Sequence, residues 1–130
     1  MQCLIGFQCP KPVIAAIHGA CVGGATSMVT FADIRYCTND AWFQVKETAL
    51  GLAADVGAIQ RLPKIIGNQS LARELCLTAR KFDANEAIDC GFVNKTFDEK
   101  ETMMAACIEM AEMIAGMSPV AVQGTIFDRE

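Results

Sequence analysis

An uninterrupted apolar run, Val13-Ile14-Ala15-Ala16-Ile17, stands between Pro12 and His18-Gly19, and a glycine pair, Gly23-Gly24, follows it. A strand without polar alternation is buried on both faces, the situation of parallel sheets covered by helices. The glycines then permit a tight turn, after which Ala25 to Ala32 predicts a short helix, Ile34 to Cys37 a second strand and Trp42 to Val45 a third extended piece. Strand, glycine turn, helix and strand compose a right-handed crossover unit. The expected class is therefore α/β, in one domain without internal boundary or repeat.

Beyond Asp55 the pattern turns helical. Val56 to Leu62 predicts a helix broken at Pro63, because proline removes a donor and crowds the preceding turn. Asn68 or Ser70 caps a helix running to about Ala79, and Ala84 to Cys90 suits another closed by Gly91. Val93 to Phe97 reads as a strand. Asp98 with Glu101 has the spacing of a capping box, and Met104, Cys107, Ile108, Ala111, Ile114 and Ala115 form an apolar stripe opposite Glu109 and Glu112. That helix is expected against a core or a partner, with the methionines at 103, 104, 110, 113 and 117 as adaptable packing. Ser118-Pro119 starts one more helix, by a cap and a proline in the first turn.

Composition narrows the function classes. Of the 130 residues, 52% are hydrophobic, and the mean hydropathy is +0.29. A domain of this length buries roughly two thirds of its unfolded surface, so the apolar excess points to subunit contacts or to the missing part of a larger fold. No apolar run reaches the roughly 18 to 20 residues of a membrane span, and Met1 to Cys9 lacks the pattern of a secretion signal. Seven cysteines without a Cys-x-x-Cys pair, and one histidine, favour neither a disulfide framework nor a zinc site. Buried thiols in a reducing compartment are the simpler reading. A net charge of −4 without a basic stripe argues against nucleic acid as partner.

The chemistry concentrates in two places. Gly19-Ala20-Cys21-Val22-Gly23-Gly24 lets the main chain approach a ligand and opens a helix whose free N–H groups suit an oxyanion. Downstream, Glu47 and Asp55 are acidic residues within Gln44 to Gly57, and a carboxylate beside a polarised carbonyl is the arrangement for proton transfer. Read alone, Glu47 is a solvated loop charge, Asp55 a helix N-cap and the glycines turn formers. His18, at a strand end, reads as a hydrogen-bonded structural histidine. Arg35 and Arg61 are expected to pair with acids or carbonyls.

Lys11-Pro12-Val13-Ile14-Ala15-Ala16-Ile17-His18-Gly19, Val22-Gly23-Gly24, Asp33-Ile34-Arg35-Tyr36 and Gln60-Arg61-Leu62-Pro63 with Ile66-Gly67 resemble the enoyl-CoA hydratase/isomerase, or crotonase, family. The match runs from about Pro10 to Gln123. Phe43 to Glu47, Gly51 to Gly57 and Ser118 to Gly124 are most similar to its dienoyl-CoA isomerase branch. The resemblance implies a partial spiral of strand-strand-helix units followed by a helical C-terminal portion, with the family's N-terminal half and closing helices missing. It implies trimers or hexamers, or association with full-length relatives, and a fatty acyl-CoA thioester as substrate with no separate cofactor and no metal. The compartment implied is mitochondrial or peroxisomal, and the ending Phe127-Asp128-Arg129-Glu130 is not a Ser-Lys-Leu type address.

On the same carry-over, Gly24 supplies one of two N–H donors to the thioester oxygen, the other coming from the missing half; one lost donor costs about 10²- to 10³-fold in rate. Glu47 and Asp55 match two of three acidic positions that move protons along the conjugated diene during 3,5-dienoyl to 2,4-dienoyl isomerisation in fatty acid β-oxidation. Ser27 stands at the third, and a hydroxyl without an adjacent base is no proton acceptor near neutrality. Two alternatives follow: a single-base delta(3)-delta(2)-enoyl-CoA isomerase using Glu47, or a non-catalytic remnant that docks onto full-length relatives.

Overall fold

A computed structural model describes residues 9–126. Cys3 and Phe127 to Glu130 lie outside the described residues. The elements run β1 (Ile14–Ile17), β2 (Ala20–Val22), α1 (Gly24–Val29), β3 (Ile34–Thr38), β4 (Trp42–Gln44), a 3-10 helix (Glu47–Leu50), α2 (Ala58–Ile66), α3 (Gln69–Thr78), β5 (Lys81–Asp83), α4 (Ala84–Asp89), β6 (Lys95–Phe97), α5 (Lys100–Ala115) and α6 (Pro119–Ile126).

Two small sheets carry the chain. The first has the order β1-β3-β6 with both pairings parallel, and the second has the order β2-β4-β5, in which β2 and β4 are parallel and β5 is antiparallel. The predicted crossover from β1 through α1 to β3 is present, with Ile14 opposite Ile34 and Ile17 opposite Cys37. Burial on both faces of β1 was an overstatement: Ile17 is buried, whereas Ile14, Ala15 and Ala16 are half-buried. Two further strands, β2 and β5, carry only three residues each. That is too short for a period-2 pattern to register.

A trio of rings organises the main core. Phe43 of β4 stacks on Phe82 of β5 at 5.2 Å between centroids, and Phe92 meets both edge-on at 5.1 and 5.5 Å. Leu62 of α2 and Leu75 of α3 are fully buried in the same cluster. A second cluster packs α5 onto the first sheet through Met103 and Cys107, against Tyr36 and its neighbours. Met104 and Ile108, placed on the inner stripe from sequence, are 41% and 55% exposed. The helix is rotated by one residue, so that Met103 and Cys107, four apart, face the sheet.

Other expectations change on inspection. Proline does not divide α2: Pro63 lies inside one continuous helix. The loss is confined to one main-chain bond, while Leu62 and Ile66 on either side are buried and hold the segment against the core. Helix α1 ends at Val29, short of Ala32, because Thr30, Phe31 and Ala32 close by tighter bonds to Ser27, Met28 and Val29. Asp98 caps nothing; its carboxylate accepts from Asn39 Nδ2 at 2.6 Å, and Glu99 occupies the N-cap of α5 without a side-chain bond. His18 is exposed, and among the described residues its ring has no hydrogen-bond partner.

Asn68 does cap α3, accepting from the Leu71 N–H at 3.0 Å. Asn68→Ala is expected to cost about 1 kcal/mol, read as a shift in the urea midpoint at unchanged slope. Arg80 joins α3 to α4, donating to Glu74 at 2.7 Å and to Glu86 at 2.9 and 2.6 Å. These bonds hold the Glu86 carboxyl below the usual carboxylate range, against the opposing effect of its partial burial. The contribution is therefore present at neutral pH and fades as pH falls through the lowered Glu86 value. Because both side chains are about one third exposed, Arg80→Met should cost at most about 1 kcal/mol at neutrality and less in acid, measured by unfolding in the two buffers.

The described cysteines, 9, 21, 37, 76, 90 and 107, are free thiols. Burial pushes Cys21, Cys76, Cys90 and Cys107 up from the ordinary thiol value, and Cys37, with Asp40 adding to the effect, to about 11. Among the described residues no single helix is long and apolar enough to cross a membrane. The pair α5 and α6 reaches the required length and composition together, but it is bent by 114°.

Candidate active site

Gly23 is the hinge of the site. Its φ of 58°, in the left-handed region, turns the chain from β2 into α1 at no side-chain cost. The Gly23 N–H donates to the Gln44 carbonyl at 2.8 Å, which fastens the turn to the end of β4. Thr26, fully buried, adds its hydroxyl to the same fastening, with the Cys21 carbonyl at 2.7 Å and the Gln44 carbonyl at 3.1 Å. Gly24, the first residue of α1, is exposed, and a Cβ there would meet nothing within 4 Å. The first N–H groups of a helix lack intrahelical acceptors, so this is the end at which α1 can receive an oxygen.

The base-bearing segment is held from the other side. Gln44 Nε2 donates to the Ala79 carbonyl at 2.7 Å, and the Thr48 hydroxyl donates to the Cys76 carbonyl, both on the C-terminal end of α3. The Leu52 N–H closes onto the Glu47 carbonyl at 2.9 Å. Between these anchors Glu47 is half-buried, and its carboxylate lies against the glycine turn: Oε1 is 3.9 Å from where a Gly23 Cβ would stand. A Cβ at Gly23 would meet Glu47 only at ordinary contact distance, so it is the positive φ that favours glycine there. The other carboxylate oxygen, Oε2, is buried and has no hydrogen-bond partner among the described residues. Its negative charge adds to burial in pushing the neighbouring Cys76 thiol upward.

Ser27 lies one turn along α1, its N–H bonded to the Gly23 carbonyl at 3.1 Å, and it is completely buried. Gly23, Gly24, Ser27 and Glu47 are thus gathered around one turn. Asp55 is not gathered with them by any bond. It sits exposed on the turn before α2, where its main-chain carbonyl accepts from Gln60 Nε2 at 3.2 Å and its carboxylate has no hydrogen-bond partner among the described residues. Nor is it an N-cap: Gly57 takes that place, at a φ of 127°. A Cβ on Gly57 would come within 3.0 Å of the Phe31 ring, over which the Arg61 guanidinium stacks at 3.8 Å. The stacked Phe31 and Arg61 leave no room for a side chain at Gly57, on the turn that carries Asp55.

The buried Arg35 donates to the Phe92 and Ala32 carbonyls, each at 2.6 Å, as its reading from sequence anticipated. Thr26, Gln44 and Thr48, which hold the site together, were not singled out. Their partners are carbonyls far along the chain, and nothing in local spacing marks them.

A family profile described as Enoyl-CoA hydratase/isomerase matches residues 4–126. The mitochondrial Delta(3,5)-Delta(2,4)-dienoyl-CoA isomerase of Homo sapiens is 59% identical over 118 residues, which cover 91% of this chain and 36% of that protein. The peroxisomal Delta(3,5)-Delta(2,4)-dienoyl-CoA isomerase of Arabidopsis thaliana is 52% identical, with 91% and 42% covered. The chain therefore spans well under half the length of these curated relatives. Among solved structures, an enoyl-CoA hydratase/isomerase from Cupriavidus metallidurans CH34 superposes with a TM-score of 0.85 at 33% identity, covering 93% of this chain and 45% of that one. A Thermobifida fusca YX protein solved in complex with acetoacetyl-CoA gives 0.81 at 32% identity, covering 87% and 44%.

Proposed function

The chain belongs to the enoyl-CoA hydratase/isomerase family, and from that premise we propose that it isomerises unsaturated fatty acyl-CoA thioesters, converting 3,5-dienoyl-CoA to 2,4-dienoyl-CoA in β-oxidation. One observation carries the reading: the Glu47 carboxylate lies against Gly23, next to the first N–H of α1. In the proposed reaction the thioester oxygen accepts from the Gly24 N–H while Glu47 removes a proton from carbon 2. The electron pair moves into a dienolate, and the proton taken up by Glu47 is returned to carbon 6, which completes the shift and regenerates the carboxylate. Asp55 supports this from its turn, shielding or relaying the proton at the distal end of the diene. Coenzyme A enters as part of the substrate, and the reaction draws on no separate cofactor or metal.

A second reading has its own support. Ser27 is fully buried, and Glu47 is the carboxylate set against Gly23. That favours a single-base exchange between carbons 2 and 4 of a 3-enoyl thioester. Absorbance assays with a 3,5-dienoyl-CoA and a 3-enoyl-CoA separate the two. Turnover of the dienoyl compound supports the first, turnover of the 3-enoyl compound alone supports the second, and co-sedimentation with a full-length relative without turnover supports a docking remnant. Leu50, Leu52 and Ile59, each at least half exposed near the base-bearing segment, are the surface we assign to assembly as trimers or hexamers or to such docking. The names of the relatives favour a mitochondrial or peroxisomal setting.

A further inference from the structure

The hydrogen-bonded threonine hydroxyls of the described residues fall into two kinds. Thr30, Thr38, Thr78, Thr102 and Thr125 bond to partners within four places along the chain, the local bonds such side chains ordinarily take. Thr26 and Thr48 instead reach another element of the fold, Thr26 the end of β4 and Thr48 the end of α3. Both of these longer bonds attach to the segment from 44 to 48, which carries Glu47.

Thr26 has the more telling place, since it joins that segment to the glycine turn. Its hydroxyl donates to the Cys21 carbonyl at 2.7 Å and lies 3.1 Å from the Gln44 carbonyl, which also receives the Gly23 N–H at 2.8 Å. One carbonyl, three residues before Glu47, thus meets the main chain just before Gly24 and a side chain just after it. Two successive glycines have little stiffness of their own, so the direction of the Gly24 N–H is set by the bonds on its flanks. Of those bonds only that of Thr26 comes from a side chain. Packing alone asks for no hydroxyl at this completely buried position, and burying one is costly unless it is hydrogen-bonded.

We infer that Thr26 is a positioning residue, whose hydroxyl, shared between the Cys21 and Gln44 carbonyls, fixes the direction in which the Gly24 N–H meets a thioester oxygen beside Glu47. The inference rests on the proposed function, because it concerns how that same oxygen is polarised.

Thr26→Val removes the bonds and keeps the shape, while Thr26→Ser keeps the bonds and gives up a methyl group. The probe is a 2,4-dienoyl-CoA isotopically labelled at the thioester carbonyl, whose infrared stretch falls in frequency as an N–H polarises it. These spectra are read beside kcat and KM for a 3,5-dienoyl-CoA. In Thr26→Val most of the wild-type frequency shift is expected to vanish. Its kcat should drop roughly tenfold, less than the roughly 10²-fold of an absent donor, with KM nearly unchanged. Thr26→Ser should restore both. Should Thr26→Val lack the near-ultraviolet circular dichroism of the folded chain, Thr26→Ala carries the same prediction. A wild-type shift and kcat in the folded variant without the hydroxyl, or an equal loss in Thr26→Ser, overturns the inference and leaves the isomerase reading standing. Neither shift nor turnover in wild type overturns that reading, and the inference with it.

Discussion

On the proposed function, exchanging Glu47 for Gln is expected to lower turnover of an unsaturated acyl-CoA by about 10²- to 10⁴-fold, the range of a positioned general base. The amide keeps the size of the side chain, and the loop that carries it is fixed independently of the carboxylate. Thr48 is bonded to the Cys76 carbonyl and Gln44 to the Ala79 carbonyl. The fold and thioester affinity should therefore survive, so the loss falls on kcat with KM nearly unchanged. A side chain that only filled space beside Gly23 would give a near-silent substitution. Steady-state kinetics on the paired proteins decides between the two.

Phe43→Ala is the substitution expected to cost most stability, about 3–5 kcal/mol. Phe43 is fully buried and touches both other rings of the aromatic trio, so its removal leaves a cavity and forfeits two ring pairs. The neighbouring residue, Gln44, accepts the Gly23 N–H at its carbonyl and reaches Ala79 with its side chain. The cavity therefore opens directly beneath the segment that joins the glycine turn to Glu47. Thermal unfolding should show a fall of roughly 10–20 °C in Tm. Phe43→Leu, which refills most of the volume, should recover the larger part of it.

Elements that bury a continuous apolar run, or that carry their own cap, were legible in the sequence. β1, β3, β4, α3 and α6 lie where apolar runs, Asn68 and Ser118-Pro119 place them. Features fixed by distant partners were not. Pro63 reads as a break, yet Leu62 and Ile66 are buried against the core and keep α2 whole. Asp98 has the spacing of a capping residue, but Asn39, 59 positions away, claims its carboxylate. The inner face of α5 differs by one residue from the stripe predicted, because Met103 meets Tyr36 while Met104, equally apolar, turns to solvent.

The site divides along the same line. Gly23, Gly24 and Glu47 stand out by residue type, and the turn does bring Glu47 against Gly23. The burial of Ser27 and the fastening of Gly23 to Gln44 depend on β2 and β4 lying side by side, a pairing that no local pattern displays. Asp55, marked by the same local signals as Glu47, lies exposed on the turn where Phe31 leaves no room for a side chain at Gly57.

The most direct test of the central claim is the exchange of carbon-2 protons in a 3-enoyl-CoA dissolved in D₂O, followed by NMR with the wild-type chain and with Glu47→Gln. Deuterium uptake at carbon 2 that wild type accelerates and Glu47→Gln does not is the predicted result. Equal uptake with both proteins, or none above the uncatalysed rate with either, would contradict the assignment of Glu47 as the base.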